Sequence, residues 1–198
     1  MFVLRYEVYA RAGGTIALAT VAALALMWAT AGASRAAAPA GASAGCAGAA
    51  VIPSNAALLK TAADAVLCLI NVERTQRGLA PVLASSLLGK AAEFHASDMV
   101  RRGYFAHVSP TGQDLKKRVA HTGYLRGARR AKLGETIAWG SDYYASPAEL
   151  VKGLMQSAAH KAIIVDRRFR DIGVGLALGA PLEGMGTGAT LSLNFGRR

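Results

Sequence analysis

The chain has 198 residues, 53% of them hydrophobic, with two cysteines and a formal net charge of +11. That length suits one ordinary domain with a sizeable core. Two cysteines are too few for a disulfide framework or a cysteine-rich zinc site.

Arg5 and Arg11 precede an uncharged stretch, Ala12 to Ser34, rich in Ala, Leu and Val, and small residues follow at Ala31-Gly-Ala33. This order predicts a secretory signal peptide over residues 1–33, cleaved after Ala33. An N-terminal membrane anchor is the rival reading, because about 20 apolar residues can span a bilayer. Residues 34–53 are almost entirely Ala, Gly, Ser and Pro and read as a flexible leader, which places the folded domain at 54–198. Loss of Arg5, Glu7 and Arg11 with the signal lowers the charge from +11 to +10.

A basic exported protein suits the extracellular space or the cell envelope, where anionic polymers, lipid headgroups or peptides are available partners. Nucleic acid does not fit that compartment, and a monomer is expected. The densest basic clusters are Arg126, Arg129, Arg130 and Lys132, and then Arg167, Arg168 and Arg170. Solvated loops that aid solubility are the plainer reading of both. In an oxidising compartment Cys46 and Cys68 can form a disulfide tying the leader to the first helix. A buried free Cys68 on the helix's apolar stripe is the alternative.

Apolar residues at three- and four-residue spacing predict a helix from about Asn55 to Arg77, with Ser54 able to cap it and Gly78 to close it. A second helix is predicted over Ser86 to Arg102, stopped by Gly103, and a short one from Asp114 to Thr122. Ser146-Pro-Ala-Glu149 reads as a capping box opening a helix that continues to about Ala158. Asp171 to Leu178 and Ala189 to Phe195 alternate as strands, joined through a Gly-rich hairpin, and Gly134 to Trp139 is a possible third. Helices first and strands last imply an α+β fold, helices packed on a small antiparallel sheet.

Three segments carry titratable groups at chain bends: His107 in Tyr104-Phe-Ala-His-Val-Ser-Pro-Thr-Gly112, Glu135 in Gly134-Glu-Thr-Ile-Ala-Trp-Gly140, and His160 in Ser157-Ala-Ala-His-Lys-Ala-Ile-Ile164. No helix or strand face explains His107, so a cleft is favoured over the surface. His160 belongs to a cleft or to the helix C-terminus, where an imidazolium suits the dipole. Glu135 lines a cleft or pairs with a neighbouring arginine. His95, on the stripe of the second helix, reads as a core histidine first and a cleft wall second. His121, Glu93 and Asp98 read as surface groups. Were His107, His160 and Glu135 to converge, two imidazoles and a carboxylate would suit Zn²⁺ with an open fourth position. Ser109 beside His107 has no nucleophile elbow, and adjacent positions in a Pro turn rarely aim both side chains at one point.

The order of segments resembles the bacterial, SCP-like branch of the CAP superfamily (cysteine-rich secretory, antigen 5 and pathogenesis-related 1 proteins). The segments are Leu69-Ile-Asn-Val-Glu-Arg-Thr-Gln-Arg-Gly-Leu79, Ala91-Ala-Glu-Phe-His-Ala-Ser-Asp-Met99, Phe105 to Gly112, Gly134-Glu-Thr-Ile-Ala138, Ser157 to His160 and Asp171-Ile-Gly-Val-Gly175. The resemblance implies an α-β-α sandwich whose cleft gathers His107, Glu135 and His160, in some members around a divalent metal. Thr136 departs from the family's Asn, Leu154 from its Trp, and Ala158-Ala159 from its Pro-Gly. Binding of a lipid, glycan or peptide ligand is the expected function. A metal-assisted hydrolase is the alternative, and a structural protein with a vestigial cleft the third reading.

Overall fold

The computed structural model describes residues 45–182 and 187–198. The expected signal peptide, its expected cleavage site and most of the expected leader lie outside them. Five α-helices, α1 (Ala56–Thr75), α2 (Ser86–Arg102), α3 (Leu115–His121), α4 (Pro147–Gln156) and α5 (Ala158–Ile164), surround four strands, β1 (Leu83–Ala84), β2 (Lys132–Ser141), β3 (Asp171–Leu178) and β4 (Gly188–Arg197). A short 3-10 turn, Asp142–Ala145, links β2 to α4.

The α+β fold expected from element order, and the sandwich implied by the resemblance, are present. The sheet runs β1-β3-β4-β2; its three long strands are antiparallel, and two-residue β1 adds a parallel edge. β2 is the other edge. Alternation along β4 divides the layers: Leu191, Leu193 and Phe195 join the main core with Ile70 of α1, Leu150 and Leu154 of α4 and Ile164 of α5. Leu88 and Ala91 of α2 form a second core with Val119 of α3 and Tyr124.

Helix α2 lies unusually close to the sheet because β3 presents glycine to it. A Cβ at Gly173 would strike the Leu88 and Gly89 backbone, and one at Gly175 that of Ala92 and Glu93. This contact brings His95 of α2 over the sheet. The helix ends where expected, at Gly103, whose φ of 65° is the left-handed conformation glycine tolerates.

Three local expectations change. The cap of α1 is Asn55, whose side-chain oxygen accepts the Leu58 N–H at 3.0 Å, rather than Ser54. The capping box at Ser146 does not close: the serine side chain makes no cap bond, and Glu149 instead accepts from the Tyr143 hydroxyl at 2.9 Å and from Lys152 Nζ at 3.1 Å. The single helix read from Ser146 to Ala158 breaks at Ser157, which ends α4 and starts α5.

The described end of the leader is packed, because the Cys46–Cys68 disulfide, Cα to Cα 5.7 Å, fastens it to α1. Cys46, Ala49 and Pro53 are buried, and the Ala49 carbonyl accepts the Ala148 N–H of α4 at 2.9 Å. Among the described residues, no helix is long and apolar enough to cross a membrane.

Candidate functional site

The strand register sets the site. Glu135 of edge strand β2 stands opposite Asn194 of β4. Its side chain is 3% exposed, and burial alone would raise its pKa. The hydrogen bond from His107 and the Arg118 charge outweigh that and hold the carboxyl below its ordinary value.

His107 Nδ1 meets Glu135 Oε2 at 2.8 Å. Arg118 of α3, its side chain 1% exposed, donates from Nη2 to Glu135 Oε1 at 2.7 Å. Both terminal nitrogens of Arg118 also reach the His107 carbonyl at 3.1 Å, and Nη1 reaches that of Gln113 at 2.7 Å. One guanidinium thus fixes the carboxylate and the loop carrying the histidine. With its amide set to suit both neighbours, Asn194 donates to Glu135 Oε1 at 3.1 Å and accepts the Ala92 N–H at 3.1 Å.

An ionised carboxylate only accepts, so the proton in the His107 contact lies on Nδ1. In its neutral form such a ring offers the Nε2 lone pair. A carboxylate behind one ring nitrogen, holding the tautomer and raising the basicity of the other, is the support that ligating and basic histidines share.

His160 enters from the opposite helical layer. It occupies the first turn of α5, where its N–H points to Ser157 Oγ at 3.5 Å. It is 4% exposed. Burial and then the His107 charge lower its pKa.

His95 is wholly buried behind the carboxylate rather than on an open wall. Its Nε2 lies 3.9 Å from Glu135 Oε2, and the Ala106 backbone also acts on the ring as a hydrogen-bond partner. Burial pushes its pKa down to about 4 despite the attraction of Glu135, so the ring is neutral at pH 7. Nδ1 approaches the Tyr104 hydroxyl at 3.5 Å, and that hydroxyl donates to Asp98 Oδ2 at 2.8 Å. Asp98, read from sequence as a surface group, is 3% exposed and also accepts from Arg101 and Arg102. His121 is exposed, as expected.

Ser109 is committed to its own turn, its Oγ accepting the Gln113 N–H at 3.0 Å and lying 3.0 Å from the Thr111 hydroxyl. This removes the local Ser-His-Glu arrangement. A three-ligand metal site also meets an obstacle, because both Glu135 oxygens are engaged. Among the described residues, no group of three or more His, Cys, Asp or Glu side chains is placed to hold a metal ion. Glu135 instead suits the role of a support behind His107.

The site residues missed from sequence are Arg118 and Asn194. Asn194 had a signal, as the one amide in an otherwise apolar and hydroxyl-bearing strand. Arg118 had little, lying beside Lys116 and Lys117 in what reads as a solvated charge run.

The model of the cysteine-rich secretory protein family, CAP, matches residues 67–186. The uncharacterised protein YkwD of Bacillus subtilis is 36% identical over 113 residues, 56% of this chain and 40% of that protein. An extracellular protein containing an SCP domain from Bacillus anthracis superposes with a TM-score of 0.58 at 23% identity, covering 74% of this chain and 45% of that one. An outer surface protein of Borrelia burgdorferi does so with a TM-score of 0.53 at 17% identity, covering 67% of this chain and 90% of the other. The match thus spans less than half of the two Bacillus proteins. Family model, fold and segment order agree, and the chain belongs to the CAP family of cysteine-rich secretory proteins.

Proposed function

We propose that the protein is an exported binding module whose cleft, between His107 and His160, holds a lipid, glycan or peptide ligand of the cell envelope. The observation that carries this reading is the commitment of the site's polar groups. Glu135 is held as an anion by Arg118 and His107, and the nearby hydroxyl of Ser109 closes its own turn. A carboxylate so held is a poor proton carrier near pH 7. Export is supported by the disulfide, which persists in oxidising compartments, by the positive charge, and by the extracellular or outer-surface descriptions of the two structural relatives. A divalent ion such as Zn²⁺, where one is bound, would be held by the imidazoles of His107 and His160 with ligand or water completing its shell. It would supply a positive charge for an anionic ligand group.

The second reading, a metal-assisted hydrolase, draws on one observation. An imidazole oriented by a carboxylate is also what a general base requires. Assay of the purified protein against peptide and ester substrates separates the two. The binding reading expects no turnover above buffer. Turnover that His107→Ala removes would establish the hydrolase instead.

A further inference from the structure

Arginines far apart in the sequence meet at one end of the sheet. The register sets Lys132 opposite Arg197 and Asp171 opposite Gly196, so β2 and β3 begin where β4 ends. The loop entering β2 delivers Arg129 and Arg130 to this end, the α5–β3 loop delivers Arg167 and Arg170, and the end of β4 delivers Arg197 and Arg198, all exposed. The three groups are physically tied. Arg170 N–H bonds the Gly196 carbonyl at 3.0 Å. Asp166 joins Arg168 at 2.8 Å to Lys132 at 3.5 Å. Arg198 lies over the Tyr124 ring, 5.0 Å from its centroid, and donates to the Tyr124 carbonyl at 3.2 Å. The Asp side chains among them are engaged, Asp166 as described and Asp171 by the Tyr124 hydroxyl at 2.5 Å.

We infer that this end of the sheet is a docking surface for a linear phosphate-bearing polymer of the envelope, separate from the His107 cleft and independent of what that cleft binds. Arginine predominates over lysine here, and the guanidinium fork matches phosphate oxygens two at a time. A bilayer surface is the less suitable partner. Docking into lipid calls for several exposed apolar side chains. Among the described residues, the large exposed ones are Ile52, Leu83, Phe94, Tyr143, Tyr144 and Leu178. Of these, Leu83 alone is at this end, paired in register with Asp171.

The test measures binding of the purified protein to long-chain inorganic polyphosphate across a salt series, and to phosphatidylcholine vesicles with and without phosphatidylglycerol. Arg129→Glu/Arg167→Glu is compared with Lys60→Glu/Lys152→Glu, which makes the same charge change at exposed positions on α1 and α4. The expected result is salt-sensitive polymer binding that the arginine pair weakens about tenfold or more at physiological salt while the lysine pair changes it little. Equal loss in both variants, or binding to phosphatidylglycerol vesicles without binding to the soluble polymer, would overturn the assignment, as would no polymer binding at all. Polymer binding is expected to survive His107→Ala and His160→Ala, so failure of this surface and failure of the cleft reading are separately visible.

Discussion

Arg118 and Glu135 form a buried ion pair, Nη2 to Oε1 2.7 Å, with side-chain exposures of 1% and 3%. The same guanidinium holds the His107 carbonyl, so one side chain governs both the charge and the position of the site. Removing one partner of such a pair strands the other charge. Arg118→Met is expected to cost roughly 3–5 kcal/mol in urea unfolding. Adding Glu135→Gln should recover part of that loss, since it removes the stranded charge. A cost below about 1 kcal/mol would mean that the pair is solvated.

The histidines make stability depend on pH in a definite direction. Below its ordinary pKa of 6.5, His95 takes up a proton in the unfolded chain, whereas the folded ring resists until about pH 4. The unfolded state therefore binds more protons in that window, and stability falls as pH drops from 6.5 to 4. His95 contributes on the order of 3 kcal/mol to this loss. His160 acts in the same direction. Glu135 loses its contribution at lower pH, as its depressed pKa is crossed. Urea midpoints at pH 7, 5.5 and 4 should show a slope that His95→Leu reduces; an unchanged slope would refute the assignment to His95.

Much of the frame was legible in the sequence because it depends on local periodicity and punctuation. The α2 limits at Ser86 and Arg102 and the β3 limits at Asp171 and Leu178 follow from apolar spacing and glycine stops. Two-residue β1 has no period to read. Glu149 had the correct spacing for a capping box, but the Tyr143 hydroxyl and Lys152 supply competing donors after folding. Burial of Arg118 and Asp98 is likewise tertiary. Asp98 has arginines at i+3 and i+4, the signature of an exposed pair, yet the Tyr104 hydroxyl across the turn takes its other oxygen. Spacing cannot show which face of a charged helix another element covers.

The disulfide closes a loop between positions 22 residues apart and pins residues 45–53 against α1 and α4. The double variant Cys46→Ala/Cys68→Ala should lose roughly 3 kcal/mol, read as a lower melting temperature that reductant does not lower further. An unchanged melting temperature would show that the strap contributes nothing.

Gly175 is expected to tolerate no side chain. Its Cβ would meet the backbone of Ala92 and Glu93, which cannot yield without lifting α2 from the sheet. Gly175→Ala should cost about 3 kcal/mol or more in thermal or urea unfolding. The exposed control Gly112→Asn, at a position with φ of 75° and open space, should cost far less.

In the proposed cleft, His107 and His160 come from opposite helical layers and Glu135 is the support behind His107. Imidazole ¹⁵N NMR at neutral pH, repeated through a Zn²⁺ titration, tests this arrangement most directly. His107 is expected to carry its proton on Nδ1, the His107 and His160 signals to move together to a one-to-one endpoint, and Glu135→Gln to weaken this response without abolishing it. A proton on His107 Nε2, or a titration in which the two rings respond at different equivalents or not at all, would contradict it.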